Sequence, residues 1–113
     1  MRYLSSNFTG TGATSIFVVE RAYRWCGLMT EVFIALVDLG ASAGVFRLQT
    51  LHAGGDGWID FPGNVDLSVA GDVSFVLSLP PGSYRLVATT EETGAVAIAV
   101  DGADVTLGVP SPI

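Results

Sequence analysis

Apolar and polar residues alternate with a period of two along most of this chain. In the segment 45–51, Phe46 and Leu48 fall on one face, whereas Arg47 and Gln49 fall on the other. Such alternation is typical of β-strands that turn one face toward a core. Turn residues separate similar segments, which predicts further strands at residues 15–20, 29–39, 58–61, 65–69, 73–79, 83–90 and 95–100.

The segment 29–39 is the place where a helix competes with a strand, because its apolar run is long. It is rich in β-branched and aromatic residues, which favour a strand: Val32, Phe33, Ile34 and Val37. We therefore expect a long, largely buried strand, with a helix packed on one sheet as the alternative.

The proline–glycine segment Pro80-Pro81-Gly82 predicts a connection between two strands. Proline cannot donate to a sheet ladder, and glycine tolerates turn conformations. We expect a hairpin over residues 77–90, with Tyr84 directed inward and Arg85 on the opposite, outer face.

The strands and turns together predict an all-β fold. About eight short strands with turn chemistry between them are typical of an antiparallel β-sandwich or a jelly-roll-like domain. We expect a single such domain over residues 1–113, with an N-terminal arm at 1–13 and a loose C-terminal tail at 103–113. Within that tail, residues 104–107 can add an edge strand.

The composition limits the classes of molecule that we expect this chain to bind. Half of the 113 residues are hydrophobic, 14% are charged, and the net charge is −6. Nucleic acids and anionic lipids need clusters of basic residues, so we expect neither as a partner. The first residues are polar and lack the apolar core of a signal peptide, so we expect neither secretion nor membrane insertion.

Residues that could support chemistry are scattered. Cys26 is the single cysteine and His52 the single histidine, and nothing in their spacing pairs them as nucleophile and base. Asp56 and Asp60 flank a glycine-rich turn, but a calcium loop needs more carboxylates than these two. Glu31 lies in an apolar strand without a partner carboxylate. We expect no catalytic, metal-binding or cofactor-binding residues.

Three aromatic residues lie in irregular segments or beside turns: Tyr23, Trp25 and Trp58. Exposed aromatic rings can stack on sugars. The alternative function is therefore a carbohydrate-binding adhesion module that uses Trp25 and Trp58. The competing interpretation is that each ring closes an open end of the sandwich.

Five segments follow one another in a recognisable order: FTGTGATSIFVV (8–19), GVFRLQ (44–49), GGDGWIDFPG (54–63), VAGDVSFVL (69–77) and LPPGSYRLV (79–87). This order resembles that of small β-sandwich virion structural proteins of tailed bacteriophages, of the decoration, neck or spike type. The resemblance covers about residues 8–100, and the stretch RAYRWCGLMT at 21–30 departs from the pattern.

This resemblance implies a non-enzymatic structural role in the virion, as capsid decoration or cement or as part of a head–tail or fibre attachment. It implies partners among virion proteins, such as the major capsid protein, and further copies of the chain itself. We expect synthesis in the host cytoplasm and a homo-oligomer. A trimer is the natural guess, because capsid lattices offer three-fold positions.

The segment 20–29 is the predicted contact region of such an assembly. It holds Arg21, Tyr23, Arg24 and Trp25. Arginine, tyrosine and tryptophan are the residue types that dominate binding hot spots. The alternative is a loop folded over the end of its own sandwich.

Overall fold

The computed structural model describes residues 2–20, 30–40, 44–51, 57–69, 71–90, 92–102 and 105–108, without the side chains of 92 and 93. Within these residues every regular element is a β-strand. The strands are β1 (Arg2–Gly10), β2 (Phe17–Val19), β3 (Thr30–Gly40), β4 (Val45–Leu51), β5 (Trp58–Asp60), β6 (Asp66–Ser68), β7 (Val73–Leu79), β8 (Gly82–Ala88), β9 (Glu92–Asp101) and β10 (Val105–Leu107).

The strands form two antiparallel sheets packed as a sandwich. The four-stranded sheet has the order β1-β9-β3-β7. The larger sheet has the order β10-β2-β8-β4-β5, and β6 pairs with β4 beside β5. The expected all-β sandwich is therefore confirmed, and the segment 29–39 is a strand rather than a helix.

The core lies between the inner faces of the two sheets. In β3, the inner residues Val32, Ile34 and Leu36 are fully buried. Aromatic rings join the sheets, because Phe8 of β1 meets Phe46 of β4 edge-to-face with ring centroids 5.2 Å apart. This geometry is one of the two that aromatic pairs prefer.

The N-terminal segment differs from the expected arm. Residues 2–10 form β1, which pairs with β9 at the edge of the four-stranded sheet. Leu4 and Phe8 are buried in the core, and burial of these side chains favours the strand over a free arm. The described part of the C-terminal segment also includes a strand, because β10 pairs with β2.

The expected hairpin at 77–90 is wrong. Strand β7 belongs to the four-stranded sheet and β8 to the larger one, so Pro80-Pro81-Gly82 carries the chain from one sheet to the other. Tyr84 is inward as expected, stacked on Phe17. Its hydroxyl donates a hydrogen bond to the Pro80 carbonyl, which ties the start of β8 to the crossover.

The buried phenol of Tyr84 makes the fold sensitive to alkali. Burial raises the pKa of Tyr84 to about 12, against about 10 in an unfolded chain. Below about pH 10 the phenol is neutral in both states, and above it only the unfolded chain gains by ionising. The contribution of Tyr84 is therefore complete below about pH 10 and is lost as pH rises toward about 12.

We expect urea unfolding midpoints of the unmodified chain to fall between about pH 9 and about pH 11. The Tyr84→Phe variant should lose less over this interval, because it has no phenol to ionise. Tyr3→Phe is the control, since Tyr3 is exposed, and it should behave like the unmodified chain. Equal pH dependence in Tyr84→Phe and the unmodified chain would contradict this explanation.

Candidate functional site

The outer face of the four-stranded sheet is apolar, and we call it the apolar face. Cross-strand register defines its members, since Ala99 lies opposite Tyr3 on one side and Ala35 on the other. Phe33 lies opposite Val76 in the same way. Its apolar members are Tyr3, Phe33, Ala35, Val37, Leu39, Val76, Ala97 and Ala99, of which Leu39 is placed by the alternation along β3. Two exposed serines of β7 lie among them, Ser74 opposite Ala35 and Ser78 opposite Glu31.

Large side chains on the apolar face are open to solvent. Tyr3 is 56% exposed, Leu39 52% and Val76 62%. Ala97 and Ala99 share this outer face yet are buried. A contiguous exposed apolar patch on a sheet marks an interaction surface more often than isolated exposed residues do.

One end of the apolar face is acidic. Asp101 of β9 lies directly opposite Phe33, and Glu31 of β3 lies one row further along, opposite Ser78 of β7. They line a shallow depression of about 400 Å³, together with Val32, Phe33, Val76 and Gly102. Glu31, which has no partner carboxylate in the sequence, therefore lies exposed at one end of the apolar face.

The outer face of the larger sheet is polar. Arg85, Gln49 and Asp60 lie directly opposite one another across β8, β4 and β5. Arg85 Nε donates to Gln49 Oε1 at 2.9 Å, and Gln49 Nε2 donates to Asp60 Oδ1 at 3.1 Å. We call these three residues, together with Arg47, Asp66 and Trp58, the polar row.

Arg47 ties the polar row to β6. Its Nε donates to Asp66 Oδ1 at 2.8 Å, and its Nη1 lies 3.4 Å from Asp60 Oδ2. The hydrogen bond from Arg47 lowers the pKa of the Asp66 carboxyl below its usual range, and the guanidinium charge adds to that effect. Because these groups are exposed, the ion pairs add little to stability.

Trp58 lies at one end of the polar row, beside Arg85. The guanidinium carbon of Arg85 lies over the indole ring, 4.6 Å from its centroid, in a cation–π contact. Burial lowers the pKa of Arg85 below its ordinary value. A sugar that stacked on Trp58 would use the opposite side of the ring or displace Arg85.

The structure brings together few of the residues singled out from the sequence. The predicted contact residues Arg21, Tyr23, Arg24 and Trp25 lie outside the described residues. The same holds for Cys26, His52 and Asp56.

The apolar face was missed by sequence reasoning, although a signal for it exists. Residues 33, 35, 37 and 39 are all apolar, as are 32, 34 and 36, so both faces of β3 lack polar residues between Glu31 and Asp38. This pattern predicts a long, largely buried strand and does not by itself indicate an exposed face.

In the part of the chain that the structure describes, no three His, Cys, Asp or Glu side chains cluster as a metal site would require. The same part of the chain has no helix with the length and hydropathy of a membrane span.

Comparisons with known proteins give little for this chain. No protein-family model matches it, and no curated protein sequence does. Among solved structures, it is similar to the crystal structure of the Yersinia pseudotuberculosis-derived mitogen, at 12% sequence identity and a TM-score of 0.40. That alignment covers 94% of this chain and 98% of the mitogen. A similarity this low carries no argument about function.

Proposed function

We propose that this protein is a non-enzymatic structural subunit of a tailed-phage virion that acts through protein–protein contacts. Its partners are further copies of itself and other virion proteins, such as the major capsid protein. The observation that carries the proposal is the apolar face, with Tyr3, Leu39 and Val76 each more than half exposed. The order of turn and strand segments, which resembles that of phage virion proteins, supplies the setting.

The chemistry of the apolar face favours a protein as the partner. Covering Tyr3, Leu39 and Val76 would remove their apolar surface from water, at about 25 cal/mol per Å². The charged side chains described on this face are Glu31 and Asp101, both acidic. A nucleic acid or an anionic membrane would be repelled by them.

The test is assembly onto particles. We expect mass spectrometry of purified virions to detect the unmodified chain, and Val76→Asp to reduce its incorporation at least roughly tenfold. Val76 is 62% exposed, so the variant should remain folded, as circular dichroism can check.

Ile59→Asp is the matched control, since Ile59 is 47% exposed in the larger sheet, and it should load normally. A chain found only in lysate and never in virions would refute the proposed function. Normal loading of Val76→Asp would place the contact on another surface.

A second candidate is the carbohydrate-binding adhesion module, favoured by Trp58 beside the polar groups of Arg85, Gln49 and Asp60. An indole next to hydrogen-bonding side chains is an arrangement that can hold a sugar. Under this candidate, replacing Trp25 and Trp58 together by alanine would abolish binding to a glycan array. Under the structural role, the same change would alter stability alone.

A further inference from the structure

We infer that a second copy of this chain covers the apolar face, through a two-fold interface in which the two four-stranded sheets pack face to face. The strands of the two copies run in opposite directions across the interface. This inference rests on the proposed function and deepens it, because it names the partner of the apolar face and the geometry of the contact.

In a homo-oligomer, the apolar face of one copy can pack against the apolar face of another copy. The other broad sheet surface of the described residues is the polar row, in which Arg47 is paired with Asp60 and Asp66. Packing an apolar surface on that row would remove these charges from water, which costs free energy. The apolar faces of the two copies therefore pack on each other. An interface between identical patches is a closed two-fold contact.

The size of the face fits such a contact. Four strands spaced about 4.8 Å apart, around the 11-residue strand β3, present about 600 Å² per copy. The pair would bury about 1,200 Å² in total, at the lower end of specific interfaces. A reversible dimer is therefore expected rather than a permanent one.

The acidic end of the face selects the orientation. If the strands ran in the same direction, Glu31 and Asp101 of both copies would meet across sheets about 10 Å apart. Like charges that close are destabilising. With the strands reversed, the two Glu31 positions lie about 26 Å apart, well beyond the screening length of about 8 Å at physiological salt.

The reversed orientation fixes which residues meet. The outer residues of β3 are 31, 33, 35, 37 and 39, and Ala35 is the middle one. Ala35 of one copy would therefore lie opposite Ala35 of the second copy, near the two-fold axis. Phe33 would face Val37 of the second copy, and Glu31 would face Leu39 of the second copy.

Chemical cross-linking tests this geometry. With Cys26→Ser as background, Ala35→Cys should form covalent dimers with a short bismaleimide reagent. Glu31→Cys in the same background is the control, since its two thiols would be too far apart to link. We expect at least tenfold more linked dimer from Ala35→Cys, and sedimentation equilibrium of the unmodified chain should give a dimer.

Each other result overturns the inference. Linkage through Glu31→Cys as strong as that through Ala35→Cys, or stronger, would mean that the strands run in the same direction. A monomer or a trimer in sedimentation would rule out the two-fold contact, whatever the cysteine variants do. The proposed function would survive a monomer if Val76→Asp still failed to load onto virions, since another virion protein would then cover the face.

Discussion

Replacing Phe46 by alanine is expected to lower the free energy of unfolding by about 3–5 kcal/mol. The Phe46 side chain is fully buried between the sheets and meets Phe8 edge-to-face. Truncation loses the transfer of a phenyl ring from water and leaves a cavity that a close-packed core fills only in part. Domains are typically stable by about 5–15 kcal/mol, so the variant should be near the limit of folding.

Urea unfolding of Phe46→Ala, Phe8→Ala and the double variant measures this effect. Phe46→Leu is the matched control and should cost less, because leucine leaves a smaller void. The double-variant cycle should give a coupling of about 0.5–1.5 kcal/mol between the rings. A loss under about 1 kcal/mol for Phe46→Ala would contradict the packing described here.

Replacing Val37 by aspartate is expected to weaken self-association roughly 100-fold or more. Val37 lies on the apolar face, opposite Ala97 of the neighbouring strand. The new carboxylate stays hydrated in the free subunit but would lose water in the assembly, once in each copy. Burial of an unpaired charge is among the costliest changes an interface can undergo.

Sedimentation equilibrium of Val37→Asp over a range of concentrations measures the change. Ile59→Asp adds the same charge to an exposed aliphatic position of the larger sheet and should associate like the unmodified chain. Circular dichroism and the unfolding midpoint of both variants separate loss of association from loss of fold. Unchanged association of a folded Val37→Asp would exclude the apolar face as the self-contact.

The period-two pattern was sufficient to predict the fold class and several strands. Val45–Leu51 and Val73–Leu79 form strands with the predicted bounds. Strand β1 could not be predicted in this way, because its pairing with β9 shifts register between Tyr3 and Ser5 and again before Phe8. Leu4 and Phe8 have the even spacing of one strand face, but the residue between them on that face is the polar, exposed Ser6, so the segment shows no apolar alternation.

The crossover at Pro80-Pro81-Gly82 illustrates a second limit. Its turn chemistry was identified correctly, but the same chemistry serves a hairpin or a change of sheet. The choice between a hairpin and a change of sheet depends on the pairing of β7 and β8. Strand β7 pairs with β3, whereas β8 pairs with β2 and β4. Pairing of this kind joins distant segments and leaves no local signature.

The candidate site was harder to predict than the fold. Residue types that dominate hot spots predict a contact region at Arg21, Tyr23, Arg24 and Trp25, and this stays a prediction. The apolar face instead depends on position in the layers, because Phe33 and Val37 would be core residues if a third layer covered their sheet. Sequence alternation alone does not say how many layers a fold has.

Thiol labelling at Val76 shows whether the apolar face is a contact surface. In a Cys26→Ser background, Val76→Cys should react rapidly with a thiol reagent in dilute solution, since this position is 62% exposed. As the concentration rises and copies associate, we expect the labelling rate to fall at least tenfold, while Ile59→Cys keeps its rate. An equal rate for Val76→Cys at every concentration, in samples that have assembled, would contradict the claim.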